Sequence, residues 1–270
     1  MNEGEENPTE QTREGLEVRS YFVRGRNALV ARADFGELYV DYYLHQGQQG
    51  VQHEPAHDGM LKEALAALTL HCASRPWNES WAWTLHFQEP LLNLFVAGDN
   101  RRGNVVGQLF TEDVKDDGRS LFFADLVRER GEPRRSYVEF SGSEPMRAAE
   151  QFYLQSEQRP ARYFHLGPEE FVMVSAQPQC DLAWLESLDD AAVRALDSTE
   201  TLSLLEQRYY HWECGCSQQR MLGVLAPVMR SDPEGLFGEE AVVRIRCPRC
   251  GARHTITREA LEAYLAGSPT

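Results

Sequence analysis

The chain has 270 residues and a formal net charge of -15, with 42 acidic side chains against 27 lysines and arginines. That length allows a sizeable core plus a second module, and the acidic excess argues against non-specific attraction to nucleic acid or anionic lipid. No apolar run is long enough to span a membrane, and the opening residues lack the basic and apolar regions of an export signal, so a cytoplasmic setting is expected.

Residues 1–15 are polar and acidic and are expected to form a flexible tail. Leu16 to Phe22 and Ala28 to Arg32 predict short strands around a turn at Gly25-Arg26-Asn27. His45 to Gly59 shows no periodicity and reads as a loop. Met60, Leu61, Ala64, Leu65, Leu68 and His71 or Cys72 then recur at helical spacing, with Pro76 beyond the helix end. Trp81, Trp83, Leu85 and Phe87 alternate as on a strand with one buried face, and Leu91–Gly98 and Asn104–Phe110 continue a sheet. A strand at Arg135–Phe140 precedes a helix capped by Ser143, with Met146, Ala149, Phe152 and Tyr153 on its apolar face. Two further strands end near Ala176. The fold class predicted is α+β: a larger sheet-and-helix domain over 16–176, a helical connector over 177–209 and a small zinc-binding domain over 210–270.

The connector reading rests on Leu182, Trp184, Leu185, Leu188, Ala192, Leu196, Leu202, Leu205 and Tyr209, interspersed with acidic residues. The zinc reading rests on Cys214-Gly-Cys216 and Cys247-Pro-Arg-Cys250-Gly251. Two close pairs of soft ligands can close a tetrahedral, structural zinc site with no open position. Gly251 can relieve the tight turn, and Arg220, Arg246, Arg249 and Arg253 can offset the thiolate charge. The competing reading makes these cysteines buried small side chains or a plain staple. His211 and His254 are near enough in sequence to act as substitute ligands, but four sulfurs already fill the shell, and Glu213 is expected to be solvated. The spacing permits disulfides within Cys214/Cys216 and within Cys247/Cys250 without establishing them. Cys72 reads as a core residue, Cys180 as a thiol of open role.

These cysteine motifs, with Ser217, Tyr137-Val138-Glu139-Phe140 and the run from Phe152 through Ser156-Glu157-Gln158-Arg159 to Pro160, resemble the redox-regulated 33-kilodalton heat-shock chaperone family. The resemblance implies a cytoplasmic, ATP-independent holdase and not an enzyme. It implies that Cys214, Cys216, Cys247 and Cys250 are zinc ligands and redox sensors, forming Cys214–Cys216 and Cys247–Cys250 disulfides as zinc is released. Unfolding of the terminal module and connector would then expose surface for aggregation-prone clients, with a homodimer possible when oxidised. Trp184, Leu185, Leu188, Leu202 and Leu205 are the candidate client-binding residues. Ser217-Gln218-Gln219-Arg220 is less charged than the corresponding family run, and the connector is shorter.

A catalytic reading could draw on Asp34, Glu37 and Asp41, or on His53 and His57, but each is expected to be a solvated loop or strand residue. The main alternative is a zinc-ribbon interaction module, possibly nucleic-acid binding, in which Arg244, Arg246, Arg249, Arg253 and Arg258 meet phosphate.

Overall fold

The computed structural model describes residues 14–267, so the tail expected over 1–15 lies outside the described residues except for its last two positions. The described chain opens with an antiparallel hairpin, β1 (Leu16–Arg24) and β2 (Ala28–Asp34), whose turn places Gly25 and Asn27 at positive φ. Two helices follow, α1 (Gly36–Gln49) and α2 (Pro55–Ala73). Much of the stretch read as a loop is therefore helical. The glutamines and glycines at the end of α1 carry no apolar stripe, so periodicity could not reveal it. α2 is buried at Leu61 and continuously from Ala64 to Ala73, as expected of a helix with apolar residues around its whole circumference.

Five strands come next: β3 (Glu79–Phe87), β4 (Leu92–Asp99), β5 (Asn104–Phe110), β6 (Ser120–Arg128) and β7 (Arg134–Phe140). β6 lies where the sequence reading places no element, although it buries Leu121, Phe122, Ala124 and Leu126. Then come α3 (Pro145–Gln155), β8 (Ala161–His165) and β9 (Glu170–Ala176). Glu144 rather than Ser143 occupies the cap position of α3, and it makes no side-chain capping bond. Pro145 sets that boundary, since its missing N–H is harmless in a first helical turn.

The helical connector expected over 177–209 is only partly helical. Three short helices, α4 (Leu182–Ser187), α5 (Asp190–Arg194) and α6 (Leu196–Thr199), give way to a twelve-residue strand, β10 (Thr201–Trp212). β10 pairs antiparallel with β1 along that strand's whole length and parallel with β5 at His211 and Trp212. The adjacent apolar pairs Leu204-Leu205 and Tyr209-Tyr210 obscure its period of two. A register shift at Ser20/Tyr21 of β1 disturbs the alternation further.

The resulting ten-stranded sheet has the order β7-β6-β3-β4-β5-β10-β1-β2-β9-β8. Alternation gives its β2 and β9 strands two buried faces. Ala31, Ala33, Phe171 and Met173 join the main core with α2 and α3, while Val30, Val172 and Val174 pack with Leu185, Leu188, Val193 and Leu196 of α4–α6. Asp181 and Asp189 cap α4 and α5 by accepting from Trp184 N and Ala192 N. Three arginines, one in the β1–β2 turn and two on strands, hold this helical segment. Arg26 pairs with Asp181 and Glu200, Arg32 takes Asp197 bidentately at 2.6 and 3.0 Å, and Arg162 donates to the Leu185, Glu186 and Leu188 carbonyls.

The chain divides into two compact units. The first contains the described residues to Leu44 and His53–Glu213, the second His45–Gln52 and the described residues from Cys214 onward. In the second unit, α7 (Gln218–Ser231) and α8 (Pro233–Phe237) precede a two-stranded ribbon, β11 (Val242–Arg246) and β12 (Arg253–Thr257), and then α9 (Arg258–Gly267). Met221, Leu222, Leu225, Met229, Phe237, Ile256 and Leu261 form its core. Among the described residues no helix is long and apolar enough to cross a membrane.

Candidate metal centre

Cys214 and Cys216 lie just before α7, and Cys247 and Cys250 lie in the turn joining β11 to β12. Both approaches need a glycine in the left-handed region: Gly215 has φ +64° and Gly251 φ +74°. Gly251 N donates to the Cys247 carbonyl at 2.9 Å, and Cys247 N donates to the Ala252 carbonyl at 2.8 Å. These bonds curl the turn so that both of its sulfurs face inward. Ser217 accepts from Arg220 N and caps α7, which fixes the chain immediately after Cys216.

The four sulfurs lie within 4.8 Å of one another. Cys214 Sγ is 3.6 Å from Cys247 Sγ, and Cys216 Sγ is 3.6 Å from Cys250 Sγ. Tetrahedral bonds of ~2.3 Å from sulfur to zinc imply sulfur–sulfur separations of about 3.8 Å, so the cage has the size of a closed four-sulfur site. Cys247 and Cys250 are buried, and Cys214 and Cys216 are half-buried.

Electrostatics favour a cation in this cage. Hydrogen bonds from the Cys214 and Cys250 thiols, aided by the Arg249 and Cys250 amides, pull the Cys247 thiol well below its ordinary range. The other three move up. Cys214 does so through its bond to Cys247, and Cys250 through its bonds to Cys214 and Cys247. Cys216 is pushed to about 12, first of all by burial. One thiolate is tolerated; four require a multivalent cation.

The remaining candidates fall elsewhere. His211 sits on β10 with its Nε2 3.1 Å from Glu213 Oε2, and His254 is half-buried on β12; neither joins the sulfur cluster. Cys72 is fully buried, and burial pushes its thiol to about 12. Cys180 is half-buried against the α4–α6 cluster. Leu185 and Leu188 are buried in that cluster, and Trp184 and Leu202 pack on it partly buried. Leu205 is 55% exposed already, so it is not among the residues that this packing covers. Glu37 and Asp41 lie on α1 rather than on a loop or strand. Asp34 accepts from Gly36 N, Glu37 accepts from Gly15 N and His57 faces Glu54, so these three of the residues weighed for catalysis are engaged separately.

Comparisons with known proteins bear on both units. A family model described as Hsp33 protein matches residues 165–257. A 33 kDa chaperonin of Edwardsiella ictaluri (strain 93-146) is 23% identical over 241 residues, covering 77% of this chain and 82% of that protein. A 33 kDa chaperonin of Caldanaerobacter subterraneus subsp. tengcongensis is 33% identical over 66 residues, 24% of this chain and 22% of its own length. The crystal structure of the 33 kDa chaperonin (heat shock protein 33 homolog) of Thermotoga maritima shares the fold, with a TM-score of 0.70 at 13% identity over 94% of this chain and 98% of that one.

Proposed function

The chain is an Hsp33-like protein of the 33 kDa chaperonin family rather than an enzyme, and from that premise we propose that it is a redox-controlled, ATP-independent holdase of the cytoplasm. The observation that carries this reading is the cage of four sulfurs in a lobe whose core is seven buried side chains. Zinc, when bound by Cys214, Cys216, Cys247 and Cys250, supplies a structural cross-link to that lobe. Peroxide takes two electrons from each pair of thiolates and is reduced to water, leaving disulfides Cys214–Cys216 and Cys247–Cys250. The ligand set is thereby consumed, and the lobe loses the interaction that completes its fold.

The functional segments in this reading are the core domain 16–176, the connector 177–209 and the switch domain 210–270. Disruption propagates into α4–α6 and exposes their buried face together with Val30, Val172 and Val174 beneath it. That apolar surface is offered to unfolding clients, and the oxidised form can dimerise through it. The net charge of -15 keeps the opened protein soluble.

The test is an oxidation series on the reduced, zinc-loaded protein, with released zinc, free thiols and aggregation of a heat-unfolding client read in the same samples. The expected result is one zinc lost with two disulfides formed and client aggregation suppressed. Peptide mapping assigns the pairing, which matters because each sulfur also lies near one from the other motif. Zinc loss and disulfide formation without any gain in holding activity would refute the chaperone mechanism.

A further inference from the structure

Residues 242–257 carry four arginines and one histidine and no carboxylate, in a chain where acidic residues exceed basic ones by 42 to 27. Pairing of β11 with β12 sorts these residues by face. Arg244 lies opposite Thr255 and Arg246 opposite Arg253, so period-two alternation sets all four on one side with Val242 and Thr257. Ile256 turns the other way into the core, with Val243 and Ile245 packed against it. Arg244, Arg246, Arg253, Thr255 and Thr257 are exposed, as is Arg249 in the turn. Among the described residues none of these four arginines pairs with a carboxylate. Arg253 meets only uncharged groups: its Nη2 donates to the Gly50 carbonyl at 3.3 Å, and its backbone N donates to Gln49. The carboxylates from 214 onward, Asp232, Glu234, Glu239, Glu240, Glu259 and Glu262, all lie outside the ribbon.

We propose that this face of the ribbon binds a single strand of nucleic acid through its phosphates. Guanidinium groups grip phosphate oxygens bidentately, and threonine hydroxyls add neutral donors to the same backbone. Arginines two residues apart on a strand stand roughly 7 Å from each other, a regular row suited to a regularly charged chain. A protein partner would need a buried apolar or aromatic anchor at the centre, and this face presents none of the large exposed hydrophobic side chains. It also has no aromatic ring on which bases could stack, so recognition is electrostatic and independent of sequence. The overall acidic charge, which argues against nucleic acid for the chain as a whole, is absent from this ribbon.

The test uses the full-length, reduced, zinc-loaded protein and a fluorescent twelve-nucleotide oligouridylate, read by anisotropy. Four phosphate contacts give a salt slope of about -2.8, or about 50-fold weaker binding at 200 than at 50 mM salt. Changing Arg244→Gln with Arg246→Gln reduces the slope to about -1.4, whereas Arg244→Lys with Arg246→Lys keeps it. The equal charge change Arg101→Gln with Arg102→Gln, on a turn of the other unit, leaves binding intact. Zinc content checks that each variant is folded. If the glutamine pair fails that check, the wild-type slope and the lysine pair decide. No binding at 50 mM salt, a flat salt response, or loss with the Arg101/Arg102 pair equal to that with the ribbon pair would overturn the proposal. Displacement of the oligonucleotide by oligoglutamate at lower concentration than by unlabelled RNA would overturn it in favour of an acidic protein partner.

Discussion

Ile256 offers a direct test of whether metal binding and folding of the second unit are one equilibrium. The side chain is fully buried on β12, in a core shared with Met221, Leu222, Leu225, Phe237 and Leu261. Ile256→Ala removes three carbons, worth about 2.4 kcal/mol at ~0.8 kcal/mol each. The cavity left behind raises the cost to about 3 kcal/mol, within the usual range for such a change. If the lobe is folded only when metal-loaded, that whole cost appears as lost zinc affinity, about 150-fold. Leu94→Ala is the control: Leu94 is equally buried but lies in the main core of the first unit. It should lower the unfolding midpoint and leave zinc affinity unchanged. The assay is competition with a chromophoric chelator under reducing conditions. Ile256→Ala binding zinc within about threefold of wild type would show that the lobe folds without metal, and the proposed switch would lose its energy source.

Other outcomes follow from the same geometry. Gly251→Ala forces a side chain into the left-handed region at φ +74°, a strain of about 1–2 kcal/mol, and should weaken zinc binding roughly tenfold; Gly25→Ala, at φ +81° in the β1–β2 turn, should destabilise the first unit without touching zinc. Cys72, buried and raised to about 12, should stay unmodified by iodoacetamide and peroxide in the native protein while the four cage sulfurs react once zinc is removed; mass spectrometry of the labelled peptides checks this. His71 is fully buried, and burial, with Arg75 and Arg159 adding to it, holds its imidazole well below 6.5. The folded state thus binds fewer protons than the unfolded one, so stability is intact above about pH 6.5 and falls below it by up to ~1.4 kcal/mol per pH unit. Urea midpoints between pH 7 and 5 should show that slope and lose it in His71→Gln. Val193→Asp puts a carboxylate into the cluster beneath α4–α6 and should give holding activity without oxidant while zinc remains bound, read by light scattering and zinc content.

What was legible in the sequence follows from where local signals agree with the tertiary environment. Trp81, Trp83, Leu85 and Phe87 alternate because one face of β3 meets the core, so pattern and structure coincide. The sulfur cage was legible for a different reason: ligand spacing and the flanking Gly215 and Gly251 are local constraints of the site itself. The glutamine- and glycine-rich end of α1 gave no signal, because the buried stripe of Leu38, Tyr39 and Tyr42 stops before it. β10 misled because Leu202, Leu205 and Tyr209 also fit a helical face, and only long-range pairing with β1 decides between the two. The small core of the second unit was missed as well. Met221, Leu222, Leu225 and Met229 follow helical spacing on α7, and Ser217 provides its cap, so that signal was present.

Were the second unit to unfold as proposed, the position of β10 would limit how far that unfolding spreads. It lies inside the sheet between β1 and β5, with Arg208 buried and donating to the Cys72 carbonyl, and with Tyr210 bonded to Asn100. Detaching it would break the nine-residue pairing with β1 and leave a buried guanidinium without its partners, a cost set by the main core rather than by the connector. The helices α4–α6 are different. They are short, and they are held by one thin apolar layer of Leu185, Leu188, Val193 and Leu196, by Arg162 on three carbonyls and by half-exposed arginine–carboxylate pairs that are individually weak. The region that can yield without dismantling the first unit is therefore 182–199, and a strand of the main sheet separates it in sequence from the sulfur cage. Along the chain, the path from the cysteines to α4–α6 runs through β10, whose C-terminal pairing with β5 at His211 and Trp212 comes first, and not through one continuous helix.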